Sequence, residues 1–397
     1  MKIVIVSQEY APDAIAGGIG THLAGYAPAL VARGHDVHVL SCVPHQPISD
    51  VEQDGVHVHR RRALRLIALA GQLAGVPAAG ARLRAAVTAF HELRRLGIEP
   101  DVVQFPEWMA EGLLIARRGT VPTVVSLATP LHMTNAFSGI PSSRNSRWGD
   151  RLERTSARRA TAATSTSRLL ERDLAAWLQR DDTVIIPPPV DTTAFADVPP
   201  PSRTAPVILS VGRLEHRKGL DIIVEAAALL QPDVPEVEVV LVGRSNGERD
   251  GISTVDWLRR RVDELGVRCR FAGQQPRESI AQWYADARVI AVPSRYDSFS
   301  LAALEAMTAG RPVVCTSAVG ASELMVTAPT LVVPPEDPAA LAEALLPFLR
   351  DTEAAVATGA LLRQVVTDRC SPERIAAEFE ALYERAIAAH RGRRAAA

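Results

Sequence analysis

The stretch VPSRYDSFSLAALEAMTAGRPVVCTSAVGASEL, Val292 to Leu324, leaves few folds open to the chain that carries it. A short apolar run, Val289–Val292, enters a polar loop, Pro293–Ser300, and then a helical pattern, Leu301–Ala309. Gly310 stands where a helix end often needs positive φ. Pro312 opens a second apolar strand, Val313–Cys315, and Gly320 opens another loop. Two acids lie eight positions apart, Asp297 on the loop and Glu305 on the helix. The amides of Phe299, Ser300, Leu301 and Ala302 surround the helix start, where unpaired N–H groups and the dipole favour an anion. Carboxylates bind sugar hydroxyls and clustered amides bind phosphate, so the stretch offers parts of a nucleotide-sugar site. From these residues alone, an ordinary strand–loop–helix with two solvated acids reads equally well.

The same alternation opens the chain. Ile3–Val6 is continuously apolar, as expected of a parallel strand buried on both faces. A loop with Gly17-Gly18-Ile19-Gly20 follows, then a helical pattern Thr21–Arg33 closed by Gly34, then a strand at Val37–Leu40. That is the first βαβ unit of a doubly wound α/β domain, whose ligands sit at the carboxyl ends of the strands. The glycines do not follow G-x-G-x-x-G and no acid ends the second strand, which disfavours a nicotinamide dehydrogenase.

A second series begins at Val207–Val211, which runs straight into Gly212-Arg213-Leu214-Glu215-His216-Arg217-Lys218-Gly219 and a helix, Leu220–Leu230. Arg213 and Lys218 both fall on the loop between strand and helix, where fixed cations can neutralise a diphosphate. Lys2 and Lys218 are the only lysines, so Lys218 stands out in a chain that otherwise uses Arg. Between the two series, Pro199–Pro206 holds four prolines and reads as a stiff, exposed linker. At 397 residues the chain is comfortable for two domains, 1–197 and 198–371. Pro372–Ala389 has the spacing of a long terminal helix.

A formal net charge of −1 gives no bulk electrostatic case for nucleic acid. Cys42, Cys269, Cys315 and Cys370 are scattered without metal-ligand spacing, and reduced thiols in a cytoplasmic protein are the simplest reading. MKIVIVSQEY is too short an apolar run for a signal peptide. Leu64–Ala81 is apolar but interrupted, and falls short of the ~20 residues of a membrane span. Arg60, Arg61 and Arg62 precede it and Arg65 falls at its start, either as a basic patch near a membrane surface or an anionic acceptor, or as a solvated edge.

These motifs resemble those of the retaining glycosyltransferases of family 4, which have the GT-B fold. The family's acidic pair with seven residues between, followed by E-A-M-x-x-G-x-P-V-V, is matched by Asp297, Glu305 and LEAMTAGRPVV. Its G-R-x-x-x-x-K-G is matched from Gly212 to Gly219, and its I-P-N-P-V-D by Ile186-Pro187-Pro188-Pro189-Val190-Asp191. Pro188 stands where that last motif has Asn, and three departures fall nearer the expected site: Asp297 replaces Glu, Ser300 replaces the Gly of F-G-L, and Ala128 replaces the histidine of L-H-T-P.

The resemblance implies two Rossmann-like domains facing across a cleft, with the terminal helix, about 372–397, crossing back to the first. It implies a retaining, metal-independent transfer of a hexose-like sugar from a nucleotide-diphosphate sugar to a hydroxyl. By that analogy Glu305 holds the ribose, and Asp297 with the amides of Phe299, Ser300 and Leu301 holds the donor sugar. Arg213 and Lys218 hold the diphosphate, and Gly17 and Gly18 let the backbone approach it. Glu107, in VVQFPEW, and His132 are acceptor-side candidates. No metal site or other cofactor is expected. The acceptor stays open among small molecule, lipid and glycan. A nucleotide-sugar-binding pseudo-enzyme and an epimerase or disaccharide synthase on the same fold are the alternatives.

Overall fold

A computed structural model describes residues 1–10, 18–137, 139–249 and 251–396. The chain divides into two compact units, Met1–Pro189 with Pro372–Ala397, and Val190–Ser371.

The first unit opens with β1 (Lys2–Val6), α1 (Gly18–Ala32), β2 (Asp36–Val43), β3 (Ser49–Gln53) and β4 (Val56–Arg62). Then come α2 (Arg65–Leu73), α3 (Pro77–Arg95), β5 (Val102–Pro106), α4 (Leu113–Arg118) and β6 (Thr123–Leu127). It continues through α5 (Leu131–Phe137), α6 (Arg144–Arg159), β7 (Ala162–Ser165), α7 (Arg168–Leu178) and β8 (Thr183–Ile185). Eight strands form one sheet in the order β3-β4-β2-β1-β5-β6-β7-β8. Every pairing is parallel except β3 with β4. The apolar run read as one segment, 64–81, is two helices. They break at Gly75, whose φ of 68° no β-carbon-bearing residue adopts without strain.

The second unit carries β9 (Val207–Val211), α8 (Leu220–Leu230), β10 (Glu238–Val242), a small ribbon of β11 (Glu248–Arg249) and β12 (Ile252–Ser253), and α9 (Thr254–Leu265). It continues with β13 (Cys269–Gly273), α10 (Ile280–Asp286), β14 (Val289–Val292), α11 (Leu301–Thr308) and β15 (Val313–Thr316). After β16 (Val332–Val333) come α12 (Pro338–Arg350) and α13 (Thr352–Cys370). Its six-stranded sheet runs β13-β10-β9-β14-β15-β16, wholly parallel. The strands are apolar on both faces because α8, α11 and α12 cover them, and they bury Ile208, Val240, Ile290 and Val314 almost completely.

The last helix, α14 (Pro372–Ala396), belongs to the first unit. Phe379 stacks on Tyr26 of α1 with ring centroids 4.2 Å apart, and the Tyr383 hydroxyl donates to Gln104 of β5. Ile375, Leu382 and Ala386 complete its buried face.

The boundary by contacts lies at Pro189/Val190, ahead of the position expected between residues 197 and 198. Val190, Phe195 and Val198 are packed in the second unit's core. The proline stretch 199–206 is docked rather than free. Arg311, fully buried, donates to the carbonyls of Tyr284 (2.5 Å) and Pro199 (2.6 Å), and Arg288 Nε donates to Thr204 Oγ1 at 2.8 Å. A buried guanidinium must find acceptors, and the extended prolines leave their carbonyls available. Among the described residues no helix is long and apolar enough to cross a membrane.

Candidate active site

In the second sheet the strand order reverses between β9 and β14, so the loops leaving these neighbours diverge and open a crevice at their carboxyl ends. The loops are 212–219 and 293–300. They meet so closely that a β-carbon on Gly219 (φ 64°) would stand 2.0 Å from the Pro293 carbonyl oxygen. Glycine is required there twice over, by φ and by space.

Across this contact Lys218 Nζ donates to Asp297 Oδ2 at 2.5 Å. Arg217 Nη1 lies 3.9 Å from Asp297 Oδ1 and donates to the Tyr296 carbonyl at 2.8 Å. Glu215 holds Arg217 at 2.8 Å and receives Asn246 Nδ2 at 2.6 Å. Arg213 stands at the rim, its side chain 49% exposed and 3.4 Å from Glu215, and so retains donors for a ligand. Beneath the turn Arg295 makes a bidentate pair with Asp221 (2.9 and 2.8 Å), and Arg249 donates to Asp221 at 2.9 Å. Gly212, Arg213, Lys218, Ser294 and Ser300 line one small cavity.

Burial alone would raise the Asp297 carboxyl, but the Lys218 ammonium, the Arg217 guanidinium and the Phe299 amide outweigh it and hold it below the usual carboxylate range. The same contest at Asp221, won by Arg295 and Arg249, holds its carboxyl at about 2. Both are carboxylates at neutral pH.

The helix α11 begins at Ser300, which has φ 80° and ψ 92° and accepts the Ala303 N–H at 3.4 Å. Phe299 is buried; its carbonyl accepts the Ala321 N–H at 2.9 Å, and the Asp297 carbonyl accepts that of Gly320 at 3.0 Å. One turn into α11, Glu305 accepts the Tyr284 hydroxyl at 3.2 Å and lies 3.6 Å from Arg277. Burial raises its carboxyl, partly offset by Arg277 and the tyrosine.

In the first sheet the reversal falls between β1 and β5. Gly17 lies outside the described residues. Gly18 is the first residue of α1, and a β-carbon there would meet open space. Glu107, after β5, is fully buried; its Oε2 accepts the Ala128 N–H at 2.7 Å. Met109 and Ala110 follow with φ of 61° and 52°, a strained pair of left-handed residues. That turn carries Glu111 under the end of β1, where Gln8 N–H reaches it at 3.4 Å. Burial pushes the carboxyls of Glu107 and Glu111 up to about 8, and neighbouring Glu153 and Glu9, respectively, add to this. Glu153 itself is held by Arg82 (2.6 Å) and by the amides of Met109 (3.2 Å) and Leu131 (2.9 Å). His132 is turned to α6, with Nδ1 2.7 Å from Asp150 Oδ1, and Trp177 shares that carboxylate at 3.1 Å.

The structure therefore brings Arg213, Lys218, Asp297 and Ser300 to one crevice, with Phe299, Leu301 and Glu305 on the adjoining loop and helix. Glu107 and His132 sit on the other unit, each committed to its own partner. Among the described residues no three His, Cys, Asp or Glu are grouped to hold a metal ion.

Residues 205–351 match the family described as glycosyl transferases group 1, and residues 16–194 match glycosyltransferase family 4. A D-inositol 3-phosphate glycosyltransferase from Xylanimonas cellulosilytica is 30% identical over 85% of this chain and 84% of its own length. The chain belongs to the family-4 glycosyltransferases. A Mycobacterium tuberculosis glycogen synthase is 28% identical over 99% of this chain and 96% of that protein. The solved sucrose-phosphate synthase from Thermosynechococcus elongatus superposes with a TM-score of 0.78 at 25% identity, covering 98% of this chain and 99% of that one. The fold of this family-4 glycosyltransferase is GT-B.

Sequence reading passed over several residues of this glycosyltransferase. Ser294 is fully buried on the crevice wall, and its Oγ has no partner among the described residues. Arg217 and Arg295 carry no mark in the sequence beyond loops dense with charge. Glu111, Glu153 and Arg82 gave no signal, because only tertiary packing buries them.

Ser300 has a consequence for stability. Left-handed backbone at a non-glycine residue costs ~1–3 kcal/mol. Ser300→Gly relieves this, gives up a weak cap and loosens the unfolded chain, so a net gain of about 0.5–1 kcal/mol is expected. Ser300→Ala keeps the strain and loses the cap, and is expected to lose about 1 kcal/mol in urea unfolding.

Proposed function

We propose that this glycosyltransferase moves a sugar from a nucleotide-diphosphate sugar to an acceptor hydroxyl, with retention at the anomeric carbon and without a metal ion. The observation that carries the reading is the Lys218–Asp297 contact at 2.5 Å with Arg213 exposed beside it. It joins a fixed ammonium, a carboxylate kept ionised and a half-exposed guanidinium at the carboxyl ends of two adjacent strands.

In this reading Arg213 and Lys218 neutralise the diphosphate, and their donors gain strength as charge develops on the leaving phosphate. Asp297 and the amides after Phe299 hold the donor sugar's hydroxyls, and Glu305 holds the ribose. The bond from the anomeric carbon to the phosphate oxygen breaks, and the acceptor oxygen bonds to that carbon from the same face. The acceptor's proton passes to the leaving phosphate oxygen, so no separate general base is required. Positive charge from two side chains does what a divalent ion does elsewhere. Activity undiminished by EDTA, with a product whose anomeric coupling in NMR matches the donor's, is the expected result. Loss of activity in EDTA restored by a divalent ion, or an inverted product, would overturn this.

Gly18 offers a second check. Nothing in the protein opposes a β-carbon there. Gly18→Ala is therefore expected to leave the melting temperature unchanged while lowering kcat/KM about tenfold, because the ligand supplies the clash. Unchanged kinetics would remove Gly18 from the site.

One observation favours a binding protein instead. Ala128 leaves no imidazole at the family's histidine position, and its N–H is taken up by Glu107. Release of free nucleotide that depends on added acceptor separates the two readings in favour of the transferase.

A further inference from the structure

We propose that the surface formed by α2 and the first turns of α3 and α6 docks onto an anionic lipid bilayer. The helix α2 is short, and it presents Leu66 (80% exposed), Leu69 (50%) and Leu73 (82%) at the i, i+3, i+7 spacing of one face. Leu64 and Leu83 are exposed beside it. Its other side is pinned: a β-carbon on Gly71 would stand 2.5 Å from the Gly80 Cα of α3. Backbone-to-backbone contact of this kind holds the helix rigidly, so the leucines face water because the packing sets them there. Soluble surfaces rarely gather large apolar side chains in this way without a partner.

The start of α6 adjoins this pair, tied by the Ala78 N–H to Asn145 Oδ1 at 2.7 Å. It exposes Trp148 (46%), with the Arg151 guanidinium 5.7 Å over the ring, and also Arg144 and Arg147. Charge follows the same pattern. From Gly55 to His91 there are six arginines (60, 61, 62, 65, 82 and 84) and no acid, although Arg61 and Arg82 are buried and paired and so add nothing to the surface. From Gly112 to Gly149 there are four (117, 118, 144 and 147) and no acid, in a chain of 44 basic and 45 acidic residues. Acids of the same unit are engaged, Asp50 by Arg61 and His59, Glu92 by Arg61, Glu153 by Arg82, and Asp150 by His132.

Leucines on one face, a tryptophan and flanking arginines are the combination that seats a helix in the headgroup layer of an acidic membrane. A second copy of the chain fits less well, because a two-fold contact through this patch would oppose arginine to arginine. Docking would present the first unit to a lipid-anchored acceptor, and it stands independently of the transfer chemistry.

Co-sedimentation of the full chain with vesicles tests this. Binding to phosphatidylcholine mixed with phosphatidylglycerol, at least roughly tenfold tighter than to phosphatidylcholine alone and weakened by salt, is expected. Leu66→Ser with Leu69→Ser and Leu73→Ser should abolish it with circular dichroism and melting temperature unchanged, since these side chains touch little. Arg144→Gln with Arg147→Gln should weaken it and flatten the salt dependence. No binding to either vesicle, undiminished binding by the leucine variant, or a leucine-dependent dimer in light scattering would each overturn the proposal.

Discussion

Lys218→Met is expected to lower kcat/KM on the order of a thousandfold, the loss seen when one charge-stabilising donor is removed from a reaction centre. The same change leaves Asp297 buried with only Arg217, at 3.9 Å, to compensate it. Breaking one side of a buried pair costs roughly 3 kcal/mol, because the remaining charge is neither hydrated nor matched. The ammonium is the largest influence holding the Asp297 carboxyl down against burial, so its removal lets that carboxyl rise. In wild type the depressed group contributes stability above its unfolded value, lost as pH falls through the folded one. In the variant that contribution disappears, and its deficit against wild type narrows on acidification. Adding Asp297→Asn removes the orphaned charge. The double variant should recover most of the stability and none of the activity, and urea unfolding beside steady-state rates reads both. Activity retained in the single variant would mean that Lys218 is structural.

The second large effect is at Glu111. Its carboxyl titrates at about 8, raised chiefly by burial, against 4.5 for an exposed glutamate. A group raised in the folded state favours folding fully below its unfolded value, and that advantage is lost as pH rises through the folded one. Each pH unit between those values costs about 1 kcal/mol for this one residue. Glu111→Gln keeps the shape and cannot ionise. It is expected to match wild type near pH 5 and to exceed it by about 3 kcal/mol at pH 8, as measured by urea unfolding across the range. On the acid side the opposite sign holds for Asp221 and for buried His22, whose imidazole is lowered to about 4 by burial. Both favour folding above their unfolded values and lose that as pH falls, so stability peaks between these limbs. A Glu111→Gln profile parallel to wild type would show that the carboxyl is already ionised in the folded chain.

Much of the crevice was legible because its determinants are local. An apolar run ending in Gly212 and a helix starting after Gly219 mark a strand-to-helix turn by composition alone, and Lys218 stood out by rarity. At Ser300, serine where the family has glycine, the structure shows left-handed backbone that the sequence marks only as a departure. Other features depend on partners far away in sequence. Arg311 reads as a spacer in LEAMTAGRPVV, yet it fastens residues 199–206 through carbonyls that no local pattern announces. For that reason the proline stretch looked like a linker. The acids of the first unit failed to register for the same cause: Glu111 and Glu153 lie in segments of ordinary polarity, and the left-handed turn at Met109 and Ala110 is what directs Glu111 inward. His132 was legible as a residue near Ala128, but its commitment to Asp150 follows from how α5 packs on α6.

Everything proposed for the chemistry depends on the crevice between β9 and β14 binding a nucleotide-diphosphate sugar. Thermal unfolding of the pure protein against UDP-, GDP-, ADP- and dTDP-sugars tests it most directly, with Glu305→Ala alongside. A donor at one hundred times its dissociation constant stabilises by roughly 2.7 kcal/mol, which is readily seen. One donor is expected to raise the melting temperature of wild type, while the variant, folded and of similar intrinsic stability, does not respond. A folded wild-type protein that responds to none of them would contradict it.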